Sequence, residues 1–534
     1  MQPSELSEVY NPSPKRFRPA DHRAVGRALL LQRSVDGGRC MKLKTLLAGI
    51  EVIDHTGPSK LEVTCLATDS RRVTPGCLFL ALPGLRTHGL KHVPEAIDRG
   101  AAVILCEEPC WAPAKVGVVQ VQNLRQLLPE IAARFFGHPG KELELTGILG
   151  TSGKTVVANL LQHLRGNAQW SGLIGTISYN VGHRSLPAQR TTPEPVELHG
   201  LLRRIRESGQ DHALLEISGH GLKQDRVRGL EFRQLILTNL TPEHLDYHGS
   251  LASAIASVET FITEQAPFLK NLIAGIDDPE VAALVARLPQ PIRDKVITFG
   301  LDAAADVRAQ AIEAGRVDTR FTLVMGDEEG PRLVSPLVGD FNLQNLLGAI
   351  ACGQADGLST ASMGASLIEF KGVAGRMEAV REAGEFSLLV DYMHTEASYR
   401  KGLQMLRQRT KGRLLTVFGC GGDRDRSIRP KLARLVAELS DLAIATSDNP
   451  RSEAIESIFE DMQEGNEHLS QLHFIGDRRQ AIARAIEVAE PGDTVLIAGK
   501  GHETFQEFKD CVVPFDDRAV AREILENRTW RERE

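Results

Sequence analysis

Leu145-Thr146-Gly147-Ile148-Leu149-Gly150-Thr151-Ser152-Gly153-Lys154-Thr155 is an apolar run that breaks into a glycine-rich turn and restarts as a helix-patterned segment ending near Leu164. A buried strand, a glycine turn and a helix N-terminus in that order form a phosphate cradle. Backbone N–H groups converge on the anion, Lys154 neutralises its charge, and the Thr155 hydroxyl can hold Mg²⁺. Ile148 stands where the longer glycine-rich motif has its first glycine, so an ordinary strand-to-helix turn is the competing reading.

The rest of the chain is α/β. At 534 residues it exceeds one ordinary core. Strand-like runs at 76–82, 101–106 and 116–121, with helical stretches at 93–99 and 124–136, mark a first unit over residues 41–142. The cradle strand opens a second unit, 143–378, with further strands at 212–218, 232–240 and 271–276. A third unit, 379–534, has strands at 386–390, 413–418, 441–445 and 493–498, each running into a polar or glycine-rich loop. The expectation is three domains, with a mostly parallel central sheet and a Rossmann-like C-terminal sheet carrying ligands at strand C-termini. Residues 1–40, rich in proline and basic residues at their centre, read as a disordered tail or as the product of a start codon upstream of a true start at Met41.

Net charge of -6 gives no whole-chain signal for nucleic acid or an anionic membrane. No run approaches the roughly 18 apolar residues of a membrane span. The 8 cysteines are scattered and read as reduced thiols of a cytoplasmic protein, and a monomer is expected.

Chemistry-bearing residues gather at strand ends. Glu216, Ser218 and His220 end one strand; Glu243, His244, Asp246 and His248 follow the next. Carboxylate and imidazole groups beside a phosphate loop suit a second Mg²⁺ contact, although any one of these histidines alone reads as structural. Asp448-Asn449-Pro450-Arg451 sets a guanidinium beside acid and amide groups, and Gly499-Lys500-Gly501-His502-Glu503 adds a carboxylate on a close-approach turn. Together they suit the carboxylate and ammonium of an amino acid; separately each is an ordinary turn.

With Asp69-Ser70-Arg71, Thr191-Thr192-Pro193, His244 to Gly249, Phe341-Asn342, Gly375-Arg376-Met377-Glu378 and Gly421 to Asp425, these motifs in this order resemble the Mur ligases. The branch resembled adds meso-2,6-diaminopimelate to UDP-N-acetylmuramoyl-L-Ala-D-Glu in peptidoglycan synthesis. The resemblance implies an ATP-dependent, ADP-forming amide ligase using Mg²⁺. Gly150 to Thr155 would bind ATP, with Lys154, Glu216 and His244 catalytic and Thr155, Glu216 and His244 on the metal. Ser70, Thr191, Thr192, Ser218, Gln224 and Arg226 would hold the UDP-muramoyl-dipeptide. Arg424, Asp448, Asn449, Pro450, Arg451, Gly499 and Glu503 would hold diaminopimelate.

The chain departs from that pattern on the ATP and metal side. Val258 stands where the family carries a carbamoylated lysine, with Glu259 adjacent as a candidate substitute. Val156 and Gly219 replace a threonine and a serine, Gly275 an asparagine, Ile428 a lysine, and Met393-His394-Thr395-Glu396-Ala397 stands for Ala-His-Thr-Pro-Asp. An active ligase with a carboxylate-poor metal site, a diverged paralogue with altered or lost ligation, and a nucleotide-gated binding protein are the readings this leaves.

Overall fold

The computed structural model describes residues 40–531 apart from 59, 85–87, 167–169 and 242–249. The proposed tail at 1–39 and the segment holding His244 lie outside the described residues.

Three sheets organise the chain. In the first, β1 (Asp54–Thr56), β2 (Cys65–Ala67), β3 (Cys77–Leu80), β4 (Val103–Cys106) and β5 (Gly117–Gln120) lie in the order β1-β5-β4-β3-β2. Only β1 runs antiparallel to its neighbour, and α1 (Leu124–Phe135) follows β5. One expectation is corrected here. Cys65 and Cys77 are Cα partners on adjacent strands, their Cα atoms 4.4 Å apart, and they form a disulfide instead of remaining thiols.

The second sheet has 11 strands. Its centre is β6 (Glu144–Leu149), which leads into α2 (Lys154–Leu164). Two successive hairpins follow, β7 (Ser171–Ile174), β8 (Ser178–Val181) and β9 (Arg184–Pro187), then α3 (Pro195–Glu207), β10 (His212–Glu216), α4 (Gly219–Lys223) and β11 (Phe232–Leu237). Next come α5 (Leu251–Gln265), β12 (Asn271–Gly275), β13 (Val296–Gly300), β14 (Val307–Ala314), β15 (Thr319–Met325), β16 (Glu328–Ser335) and α6 (Asp340–Ala355). The order is β9-β8-β7-β10-β6-β11-β12-β13-β14-β15-β16, parallel from β7 to β14 and antiparallel at both ends.

Strand periodicity explains why this sheet is covered twice. Ile148, Leu214 and Ile236 pack on one face with Val157, Leu161 and Ile350 of α2 and α6. Their neighbours Leu149, Leu215 and Leu237 point the other way, against Leu198 of α3 and Phe261 of α5. β6 therefore lies between β10 and β11, and the C-terminal ends of all three open onto one edge.

The third sheet contains β17 (Glu378–Ala379), β18 (Ser387–Asp391), β19 (Leu414–Phe418), β20 (Leu442–Ala445), β21 (Leu472–Phe474) and β22 (Thr494–Ala498), in the order β17-β18-β22-β19-β20-β21. All but β17 are parallel. Helices α7 (Glu396–Arg409), α8 (Arg429–Leu439), α9 (Arg478–Val488) and α10 (Asp517–Arg531) belong to this unit. The architecture is α/β with a mostly parallel central sheet, as the sequence reading expects. Among the described residues no helix is long and apolar enough to cross a membrane.

Candidate active site

The turn after β6 needs glycine at two points. Gly150 has φ +130°, and a Cβ there would lie 2.0 Å from Thr238 Oγ1. At Gly153, φ +87°, a Cβ would lie 2.2 Å from Asn345 Oδ1. The loop is braced from β11: Thr238 Oγ1 donates to the Ser152 carbonyl at 2.7 Å, and Ser152 N donates to Asn239 Oδ1 at 3.0 Å. Lys154 Nζ folds back to the Gly150 and Thr151 carbonyls at 2.6 and 3.0 Å, at the N-terminus of α2.

Glu216, at the end of β10, is 1% exposed and gathers three donors. Thr155 Oγ1 and Thr176 Oγ1 each donate to its Oε2 at 2.8 Å, and Thr176 N donates to Oε1 at 2.9 Å. A second cluster adjoins it. Thr191 Oγ1 lies 3.0 Å from Thr176 Oγ1; Thr192 Oγ1 donates to the Glu216 carbonyl at 2.9 Å and sits 3.1 Å from Ser218 Oγ. Arg226 donates to the Thr192 carbonyl and to Gln224 Oε1, both at 2.6 Å, and pairs with Glu194 at 3.0 Å.

These groups line a cavity of about 550 Å³ whose far wall comes from the third sheet: Arg376, Tyr392, Met393 and His394. A neighbouring cavity of about 590 Å³ shares Ser152, Gly153, Val156 and Arg376 and extends over Gly275, Phe299, Phe341 and Lys401. Ser70 lies elsewhere, buried in the wall of a third cavity of about 730 Å³, where its hydroxyl donates to Glu95 at 2.7 Å. Arg190 lines both this cavity and the phosphate-loop one, so the two are adjacent.

The Gly499–Glu503 loop meets the phosphate-loop cavity through Tyr392, whose ring centroid is 4.8 Å from that of His502. Burial pushes the Asp448 carboxyl up and the His502 imidazole down to about 4. Asp391, buried at the end of β18, is raised to about 6 by the same cause. Arg451 is committed: Nε donates to Glu507 at 3.0 Å and Nη1 to the Gly422 carbonyl at 2.8 Å. Arg424 is exposed, with no hydrogen bond among the described residues. Its fork remains open to a carboxylate. Pro450 is buried, its carbonyl 1.8 Å from where a Cβ on Gly422 would fall, which fixes glycine there.

The departures have local explanations. Val258 is buried and lines the phosphate-loop cavity with Ala254 and Ser257, so this wall carries no carboxylate. Glu259 points away, accepting from Arg287 at 2.8 Å, and does not replace it. At Gly275 a Cβ would meet the Thr238 carbonyl at 2.6 Å and the Phe299 ring at 2.9 Å, so the ring excludes any side chain. Met393 is buried over Gly402. The sequence reading missed Thr176, which has no motif around it, and gave Lys500 and Tyr392 no role within motifs it quoted.

The family described as "Mur ligase family, catalytic domain" matches residues 62–136. "Mur ligase middle domain" matches 148–353, and "Mur ligase, glutamate ligase domain" matches 375–501. The UDP-N-acetylmuramoyl-L-alanyl-D-glutamate--2,6-diaminopimelate ligase of Solibacter usitatus is 38% identical over 495 residues, 91% of this chain and 98% of that protein. The protein of the same name from Geobacillus kaustophilus is 38% identical over 91% of this chain and its whole length. A solved structure of a ligase of that name is similar with a TM-score of 0.64 and 29% identity, covering 92% of this chain and all of that one. The similarity thus runs across nearly the whole length of these relatives, and the chain belongs to the Mur ligase family.

Proposed function

We propose that this protein is an ATP-dependent, ADP-forming ligase of peptidoglycan synthesis. It joins meso-2,6-diaminopimelate to the D-glutamyl side-chain carboxylate of UDP-N-acetylmuramoyl-L-Ala-D-Glu, and works as a cytoplasmic monomer. The observation that carries this is the shared cavity: Lys154, Thr191, Thr192 and Ser218 face Arg376 and, from the third unit, Tyr392 and His394 across one space.

The uridine end lies in the Ser70 cavity, and the peptide passes Arg190 to reach Thr191, Thr192, Ser218 and Arg226, which Gln224 braces. ATP lies with its phosphates on Gly150 to Thr155 and its base over Phe341 in the adjoining cavity. Thr155 Oγ1 and Glu216, hydrogen-bonded at 2.8 Å, are the hard oxygen donors that Mg²⁺ takes, and they would hold it. Bound there, it supplies charge neutralisation on the phosphates. The γ-phosphoryl group moves to the peptide carboxylate, ADP leaves, the amine of diaminopimelate attacks the acyl phosphate, and inorganic phosphate departs. Lys154 compensates charge on the transferring group, so the protein's part is positioning and electrostatics.

Phosphate release measured with ATP, UDP-muramoyl-dipeptide and diaminopimelate tests this. Release that depends on diaminopimelate is expected, together with a higher half-saturating Mg²⁺ concentration than in relatives with lysine at the place of Val258. No amino-acid-dependent release at any Mg²⁺ concentration would sink the ligase reading.

A further inference from the structure

Lys500 is a lysine with no solvent exposure, which is rare unless the charge is paired. Its Nζ donates to Glu503 Oε2 at 2.8 Å and to Asn449 Oδ1 at 2.9 Å, and lies 5.6 Å from the centroid of the Phe505 ring. Asn449, also buried, closes the triangle: its Nδ2 donates to the same Glu503 Oε2 at 2.9 Å. Its Oδ1 accepts a second bond from Glu507 N at 3.0 Å. The amide is thereby largely consumed inside the protein.

The triangle leaves an asymmetry on Glu503. Oε2 holds both internal donors, while Oε1 has none among the described residues. The neighbouring Asp448 carboxylate is held on the same strand-end crevice because residue 499 is glycine; a Cβ there would lie 2.8 Å from Asp448 Oδ2. We propose that Lys500 is a positioning residue for the amino-acid substrate. Its ammonium, with the Asn449 amide, reserves one oxygen of Glu503 and presents the other to the substrate ammonium, without itself touching substrate. Asn449 then acts as a brace more than as a ligand. This rests on the reading above that these loops receive an amino acid.

The physical case is one of geometry and charge. A carboxylate free to rotate offers either oxygen and loses orientational freedom on binding. One oxygen tied by two donors has already lost it. The same ammonium, with the Arg478 guanidinium beyond Asp448, also offsets the repulsion between Asp448 and Glu503 in a partly buried crevice.

Steady-state kinetics of Lys500→Met test it. The KM for diaminopimelate is expected to rise about tenfold or more, because a charged hydrogen bond is removed. The KM values for ATP and UDP-muramoyl-dipeptide should stay within about twofold, and kcat within about threefold. Because Lys500 acts through Glu503, the double variant K500M/E503Q should lose no more than Glu503→Gln alone. Multiplying losses, or an equal rise in all three KM values, would mark a merely structural role and overturn the proposal. If Lys500→Met does not fold, Asn449→Ala carries the test, with an expected three- to tenfold rise in the same KM, again non-additive with Glu503→Gln; an unchanged KM overturns it. A wild-type enzyme that releases no phosphate with diaminopimelate overturns the functional reading and this inference with it. An active wild type whose variants keep their KM overturns this inference alone.

Discussion

Lys154→Met is expected to lower kcat/KM for diaminopimelate-dependent phosphate release by roughly 10²–10³-fold or more, the scale seen when one preorganised electrostatic donor is lost. Affinity for UDP-muramoyl-dipeptide should be nearly unchanged. Lys154 Nζ rests on two carbonyls of its own loop, Gly150 at 2.6 Å and Thr151 at 3.0 Å. It is therefore held at the rim of the cradle and can exchange those carbonyls for phosphate oxygens with little motion. Methionine preserves the length and apolar stem but removes the charge, so α2 and its packing should survive. Thr191 is fixed through Thr176, and Thr192 and Ser218 through the Glu216 carbonyl and each other, independently of Lys154. Titration calorimetry with the UDP-peptide, run beside the rate assay, separates the two effects. A variant within about threefold of wild-type activity would remove Lys154 from the phosphoryl-transfer step.

How much of this site could be read from sequence depended on whether the signal was local. Segments with a single dominant period came through nearly intact: Lys154–Leu164 is the helix expected, and the strands at Asn271–Gly275 and Thr494–Ala498 lie within a residue of their apolar runs. Antiparallel additions to the central sheet are missed: β9 and β16 are polar-faced edge strands, and β8 and β15 join them to the sheet with no helix between to mark them. Their signals were the turns: Gly182-His183 and Gly326-Asp327 each join Cα-paired strands in two residues, with a positive φ at the glycine. Glu216 and Ser218, named by motif, lie at or just beyond the C-terminal end of β10, but their partners are not legible. Nothing near Thr176 announces that it will meet Glu216 from a turn 40 positions earlier. The disulfide was missed for the same reason, since register, not spacing, pairs Cys65 with Cys77. Glu259 follows Val258 by one residue, about 100° around a helix, an objection the sequence already offers, and its bond to Arg287 shows that it points away.

Arg478→Met should cost the C-terminal unit about 3–5 kcal/mol, the usual consequence of stripping one partner from a buried ion pair. Arg478 and Asp517 are both fully buried, joined by two bonds of 2.7 and 2.8 Å. The same guanidinium donates to the Ala498 carbonyl at 2.8 Å and the Ser447 carbonyl at 3.3 Å. Those carbonyls lie where β22 ends and just beyond β20, at the roots of the two loops that carry Glu503 and Asp448. The pair thus does two jobs, and a second variant separates them. R478M/D517L removes both charges and fills the space with apolar atoms, so much of the lost stability should return. The two carbonyls stay without their donor, so the KM for diaminopimelate should remain raised, by about threefold to tenfold for lost neutral-acceptor bonds. Because a three-domain protein need not unfold in one step, the stability change is best read by hydrogen exchange in α9 and α10. Exchange in those helices unaltered by Arg478→Met would show that the pair does not hold the unit together. A double variant recovering both stability and KM would show that the arginine stabilises the fold without shaping the loops.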